Sequence, residues 1–273
     1  MIYLGGNLPD TDCESPVLWD KCFQSSQRVS VCCLAKATKF WPGEVEEVRN
    51  RLHAHGHFPT VTLGSESNNF GLLNSDVIFI SGGNPFVLLR QINRLDLLKA
   101  LRNFVDKGGK VFAAGEAACI FGKDIALADC LLADPDLTLN SFDLQSTKGL
   151  NLLRGLVLLP HYDEMEDYIS HKQSALQYRS PITAIPRLGG LVVDEKTGEA
   201  LNVGPGDVVT FFPNRTTEVW QPGRRDKCGS FRFRAQKRVY RLFIDLLAGV
   251  LLSLDLRAHG LPTLPIPSKT NRE

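Results

Sequence analysis

Over the first two thirds of the chain, short apolar blocks alternate with helix-length amphipathic stretches. "MIYLGG" (1–6) and "RVSVCCLA" (28–35) are apolar or β-branched runs bounded by turn residues, the pattern of buried strands. "PGEVEEVRNRLHAHG" (42–56) opens on Pro and acids, keeps Val45, Val48 and Leu52 near one face and stops at Gly56, so a helix is marked at both ends. "FPTVTL" (58–63) and "DVIFISGG" (76–83) predict two further strands. "VLLRQINRLDLLKALRNFVDKGG" (87–109) reads as one broken helix or two consecutive ones ending at Gly108, and "KVFAAG" (110–115) as the next strand. Strands separated by helices of about 10 to 20 residues imply βαβ units, hence a parallel sheet covered on both faces.

After residue 150 the texture changes. "LRGLVLLPHY" (153–162) is a buried strand and "DEMEDYISHKQSALQY" (163–178) a charged amphipathic helix. "ITAIPRLGGLVVDEKTGEALNVGPGDVVTFF" (182–212) reads as short antiparallel strands, with turn chemistry at "EKTG" and "GPGD". A basic segment (221–238) leads into an apolar closing helix (239–260), and residues 261–273, with three prolines, form a loose tail. The expectation is one α/β domain over 1–260 with a mainly parallel central sheet and a small antiparallel annex at about 182–235.

Composition narrows the function classes. At 273 residues, 43% hydrophobic and 22% charged, the chain can bury a substantial core. Its 31 basic and 30 acidic side chains produce no global field, so any ionic partner must be engaged locally. No stretch reaches the roughly 18 apolar residues of a membrane span, and the N-terminus lacks a secretory pattern, so the expected compartment is the cytoplasm. Seven cysteines without a C-x-x-C argue against a disulfide framework or a zinc site, and most read as reduced core thiols. His53, His55 and His57 have no Cys or acidic ligands beside them, and no metal or other cofactor is expected.

Ligands of parallel sheets bind beyond the carboxyl ends of the strands. Three predicted strand-end loops carry chemistry there: "SGGNPF" (81–86), "AAGEAAC" (113–119) and "LPHYDE" (159–164). Gly82 and Gly83 can aim backbone amides into a cleft, as an oxyanion hole requires; equally, Asn84 and Pro85 are the cap and first residue of an ordinary helix. His161, at the end of an apolar strand, is placed for general-base chemistry or is simply a partly exposed polar residue.

Taken in order, these segments resemble the peptidase E family, the serine hydrolases of the aspartyl dipeptidase and cyanophycinase group. "DVIFISGGNPFVLLRQI", "GGKVFAAGEAACIFGKDI" and "LNLLRGLVLLPHYDE" follow that family's Gly-Gly-Asn turn, G-x-S-A-G nucleophile elbow and Pro-His-Tyr segment. The resemblance covers about residues 1–180. It implies a three-layer, flavodoxin-like fold of the class I glutamine amidotransferase type and hydrolysis of small peptides without a metal. It further implies an oxyanion pocket at Gly82, Gly83, Asn84 and Ala117, a base at His161, and a third member at Asp124, with Asp129 the alternative.

At the centre the sequence departs from the family. Glu116 stands at the nucleophile position and Ala118 at the motif glycine. A carboxylate is a poor acyl acceptor, and at a helix start an ionised Glu116 competes for the amides that would bind an oxyanion. Three readings follow. The protein is a catalytically silent relative with Glu116 paired to His161; or Glu116 and His161 activate water; or Cys119 substitutes as nucleophile. Expected ligands are a small peptide or an acidic small molecule, and oligomerisation is possible.

A rival reading comes from the basic stretch, where Arg224, Arg225, Lys227, Arg232, Arg234, Lys237 and Arg238 alternate with Phe231 and Phe233. That pattern can bind an anion or nucleic acid. A hairpin with Phe inward and Arg outward explains it equally simply and is favoured, so nucleic acid is not the expected partner.

Overall fold

The structure is a computed structural model that describes residues 1–6, 16–23, 28–34, 41–54, 58–63, 75–131 and 144–227. Met1–Cys228 forms one compact unit. Its strands are β1 (Ile2–Gly5), β2 (Arg28–Leu34), β3 (Phe58–Leu63), β4 (Val77–Ile80), β5 (Lys110–Ala114) and β6 (Val157–Tyr162). They continue as β7 (Ile182–Pro186), β8 (Gly190–Asp194), β9 (Glu199–Val203), β10 (Val208–Phe211), β11 (Thr217–Trp220) and β12 (Arg225–Lys227).

Two sheets result, in a mixed α/β arrangement. The larger runs β12-β9-β8-β1-β5-β4-β2-β3. Its half from β1 to β3 is parallel, while β8, β9 and β12 extend it in antiparallel fashion. Strand alternation divides its centre between two faces. Tyr3, Val77, Phe79, Phe112 and Ala114 pack with Leu18, Trp19 and Phe23 of helix Pro16–Phe23 and with Val48 and Leu52 of helix Trp41–Ala54. Trp19 anchors this layer, with its ring centroid 4.9 Å from Phe23 and 5.0 Å from Phe112. The residues that alternate with them, Ile2, Leu4, Ile78, Ile80, Val111 and Ala113, are equally buried, so the central strands have no wet face. That explains their unbroken apolar runs.

The smaller sheet, β11-β10-β7-β6, corrects the expectation of a single annex. Helix Glu164–Tyr178 crosses over from β6 to β7, which pair in parallel; β10 returns antiparallel to β7 after β8 and β9 have joined the larger sheet, and β11 pairs antiparallel with β10. The predicted antiparallel strands therefore divide between two sheets. Periodicity shows that each is half or fully buried but not which neighbour buries it.

The stretch 87–109 takes one of its two expected forms, two consecutive helices, Pro85–Arg94 and Leu97–Asp106, separated at Asp96, whose φ is 51°. Other differences are local. Helix Pro16–Phe23 had no clear sequence signal, having eight residues and no acid in its first turn. The segment after β5 is not an α-helix but a 3₁₀ turn, Gly115–Phe121. It cannot propagate, because the carbonyls of Ile120, Phe121 and Gly122 accept hydrogen bonds from the amides of Leu150, Leu152 and Asn151. The predicted helix 239–260, the tail 261–273 and the basic stretch beyond Lys227 lie outside the described residues.

Candidate functional site

Three strand ends build the site. At the end of β4, Asn84 accepts hydrogen bonds from the amides of Phe86 (2.9 Å) and Val87 (3.2 Å), capping helix Pro85–Arg94. Its side chain is thereby committed to the helix. Gly83, just before it, has φ 109°, a conformation that residues with a Cβ seldom adopt. This turns its N–H away from the helix and onto Glu116, whose Oε2 accepts it at 3.0 Å.

At the end of β5, Ala114 is still extended and Gly115 takes φ 55°. The chain thus reverses at glycine, one residue before Glu116. Ala117, Ala118 and Cys119 follow inside the 3₁₀ turn, all fully buried.

His161 arrives on β6 through an irregularity. The β6–β7 register shifts between Leu159 and Tyr162, and His161 has φ 63°. A bulge of this kind re-aims the side chain it carries. The His161 amide leaves the ladder and donates to the Gly6 carbonyl at 3.0 Å, while the Gly6 amide donates to Gly189 at 3.0 Å. The imidazole Nε2 lies 3.2 Å from Glu116 Oε1. Both side chains are about one-fifth exposed (21% and 19%), but the Nε2 atom that faces Glu116 is itself shielded from solvent.

The electrostatics of Glu116 follow from this geometry. Burial pushes its carboxyl group upward, but the close contact and charge of His161, the Gly83 amide and its own amide together outweigh burial and hold it below the ordinary carboxylate value. The site thus favours the ionised carboxylate. Cys119 has the opposite environment: burial, then the neighbouring Glu116 charge, raises its thiol well above the usual range. A fully buried neutral thiol of this kind is a poor nucleophile.

Asp124 Oδ1 accepts from the Ala126 amide at 2.8 Å in a local turn, and Asp129 lies on the 3₁₀ segment Ala126–Leu131. Glu116 is the one carboxylate that reaches His161 among the described residues. Gly82 continues the turn from β4, and Ser81 before it buries an Oγ that makes no hydrogen bond. Among the described residues no His, Cys, Asp and Glu side chains gather into a metal-binding group, and no helix is long and apolar enough to cross a membrane. In the basic stretch, Arg224 pairs with Glu218, and Arg225 lies 3.6 Å from Glu199.

Gly6 was the participant that sequence reasoning missed. A Cβ there would fall 1.8 Å from the Pro186 carbonyl oxygen, so only glycine lets β1 end against the β7–β8 turn and offer its carbonyl to His161. The signal available was a glycine pair closing the first strand, which reads as nothing more than a boundary.

Glu116, Gly83 and His161 thus stand together at the carboxyl ends of β4, β5 and β6 of a mixed α/β chain, where ligands of parallel sheets bind. The model of Peptidase family S51 matches residues 22–199, and the chain belongs to that family. Two solved structures share the fold. One, a protein from Listeria monocytogenes EGD-e that bears the name peptidase E, aligns at a TM-score of 0.54 and 20% identity, covering 77% of this chain and 96% of its own. The other, a peptidase from an acI-B1 Actinobacterium, aligns at a TM-score of 0.60 and 16% identity, covering 83% and 96%. A search of curated proteins finds no match.

Proposed function

We propose that this chain is a peptidase E-like protein of three-layer, flavodoxin-like design in which Glu116 takes the place of the family's serine nucleophile, and that it does not carry out serine-type peptide hydrolysis. The observation that carries this reading is the double engagement of the Glu116 carboxylate, by the Gly83 amide at 3.0 Å and by His161 at 3.2 Å. In the serine mechanism an amide of this kind stabilises an oxyanion and the imidazole takes a proton from the hydroxyl. Here one side chain occupies both groups. The site retains its layout and loses its reactive atom.

Water activation by Glu116 is the weaker alternative, because a carboxyl held below its ordinary value is a poorer base. Substitution by Cys119 is weaker still, given its full burial. Exposure of the wild-type protein to a fluorophosphonate probe and to Asp-X dipeptides tests the proposal. Neither labelling nor turnover is expected; a labelled residue would overturn the silent reading and identify the nucleophile.

A further inference from the structure

Glu116 is bound as a ligand is bound. One carboxylate oxygen accepts a backbone amide and the other faces an imidazole nitrogen. The surroundings stabilise its charge despite burial. Nothing in the arrangement requires that the carboxylate be attached to residue 116. We propose that the Gly83–His161 site is a receptor for carboxylates whose resident occupant is the Glu116 side chain, and that removal of this side chain opens it to a free monocarboxylate of two or three carbons. The inference rests on the reading of Glu116 as the occupant of the site and adds the class of ligand the site takes.

The ligand class follows from the two contacts and from the atoms each substitution removes. A backbone N–H and an imidazole on two different oxygens select an anion with two oxygens in one plane. Glu116→Ala removes –CH2–COO⁻, the heavy atoms of acetate; Glu116→Gly removes –CH2–CH2–COO⁻, those of propionate. Gly83 φ 109° is set by the Asn84-capped turn, and the His161 backbone is held by the hydrogen bond its amide donates to the Gly6 carbonyl, so neither residue depends on Glu116 for its backbone position. In the wild type, tethering gives the resident carboxylate an effective concentration of millimolar or more, so millimolar free carboxylate does not displace it.

The test uses the full chain carrying Glu116→Ala, Glu116→Gly or Glu116→Ser, titrated at neutral pH with sodium acetate, sodium propionate or sodium chloride at matched ionic strength. Thermal midpoint and the Gly83 amide resonance are the readouts. Acetate at ten times its dissociation constant is expected to raise the Glu116→Ala midpoint saturably by about 2 to 5 °C. Glu116→Gly is expected to prefer propionate, chloride to do neither, and the wild type to show no saturable response. Variants that fold but respond identically to all three salts overturn the proposal. So does failure of all three variants to fold even in high acetate, because an exchangeable occupant cannot be indispensable. Fluorophosphonate labelling of the wild type would remove the silent reading and leave this result standing; absence of carboxylate binding in a silent protein would remove only the receptor.

Discussion

Gly83 and His161 converge on a single carboxylate, that of Glu116, the amide at 3.0 Å from Oε2 and Nε2 at 3.2 Å from Oε1. They come from the ends of β4 and β6, which belong to different sheets, and the side chain they share begins one residue beyond Gly115, the glycine that follows β5. The consequences concern stability as much as chemistry.

The first is a pH dependence. Glu116 titrates lower in the folded state than its ordinary value of 4.5, so the fold binds the carboxylate in preference to the acid. The resulting stability is present above the unfolded pKa and is lost as pH falls through the folded one. In urea unfolding, the advantage of wild type over Glu116→Gln should stay level from pH 7 to about 5 and shrink in more acidic solution. An advantage that grows on acidification would contradict the assignment.

His171 acts in a higher window. It is buried with its ring 5.7 Å from Tyr162 and 5.8 Å from Phe211, and burial lowers its pKa from 6.5, with Asp167 opposing. The neutral imidazole is the folded form, so stability is full above 6.5 and falls with pH below it. Wild type should lose stability between about pH 7 and 5 relative to His171→Phe, which has no proton to bind. Parallel pH curves for the two proteins would rule this out.

Gly6→Ala places a Cβ against the Pro186 carbonyl. Overpacking against backbone should cost about 2 kcal/mol or more in denaturant unfolding. Because His161 hangs from the Gly6 carbonyl, the Glu116 carboxyl resonance should titrate closer to its ordinary value in the variant. An unchanged Glu116 titration would separate Gly6 from the site.

Asn84→Ala removes the cap of helix Pro85–Arg94 and should cost about 1 kcal/mol, whereas Asn84→Asp keeps an acceptor for the Phe86 and Val87 amides and should cost less. Equal losses in thermal unfolding would show that the side chain does something other than cap.

Thiol reactivity discriminates the buried cysteines from an exposed one. Cys119 and Cys22 are fully buried, their thiols raised well above the usual range and to about 12. Cys130, also raised by burial of its thiol, belongs to an exposed residue. Iodoacetamide at neutral pH should modify Cys130 at least roughly tenfold faster than either, as mapped by mass spectrometry. Early modification of Cys119 would revive it as a nucleophile.

The sequence by itself determined the parallel half of the large sheet. Long apolar runs, capped amphipathic stretches and Gly-rich strand ends leave a βαβ chain few other ways to bury itself, and the "SGGN" and "PHY" segments are visible because turns need particular residues at particular positions. Tertiary structure alone decided the rest. Which sheet each strand after β6 joins depends on neighbours remote in sequence. Where the Gly115–Phe121 turn stops depends on amides from residues 150–152 claiming the carbonyls of Ile120, Phe121 and Gly122. The clamp of His161 by Gly6 exists because a carbonyl left over at the end of β1 meets an amide freed by a bulge in β6, and local pattern carries no record of such a meeting.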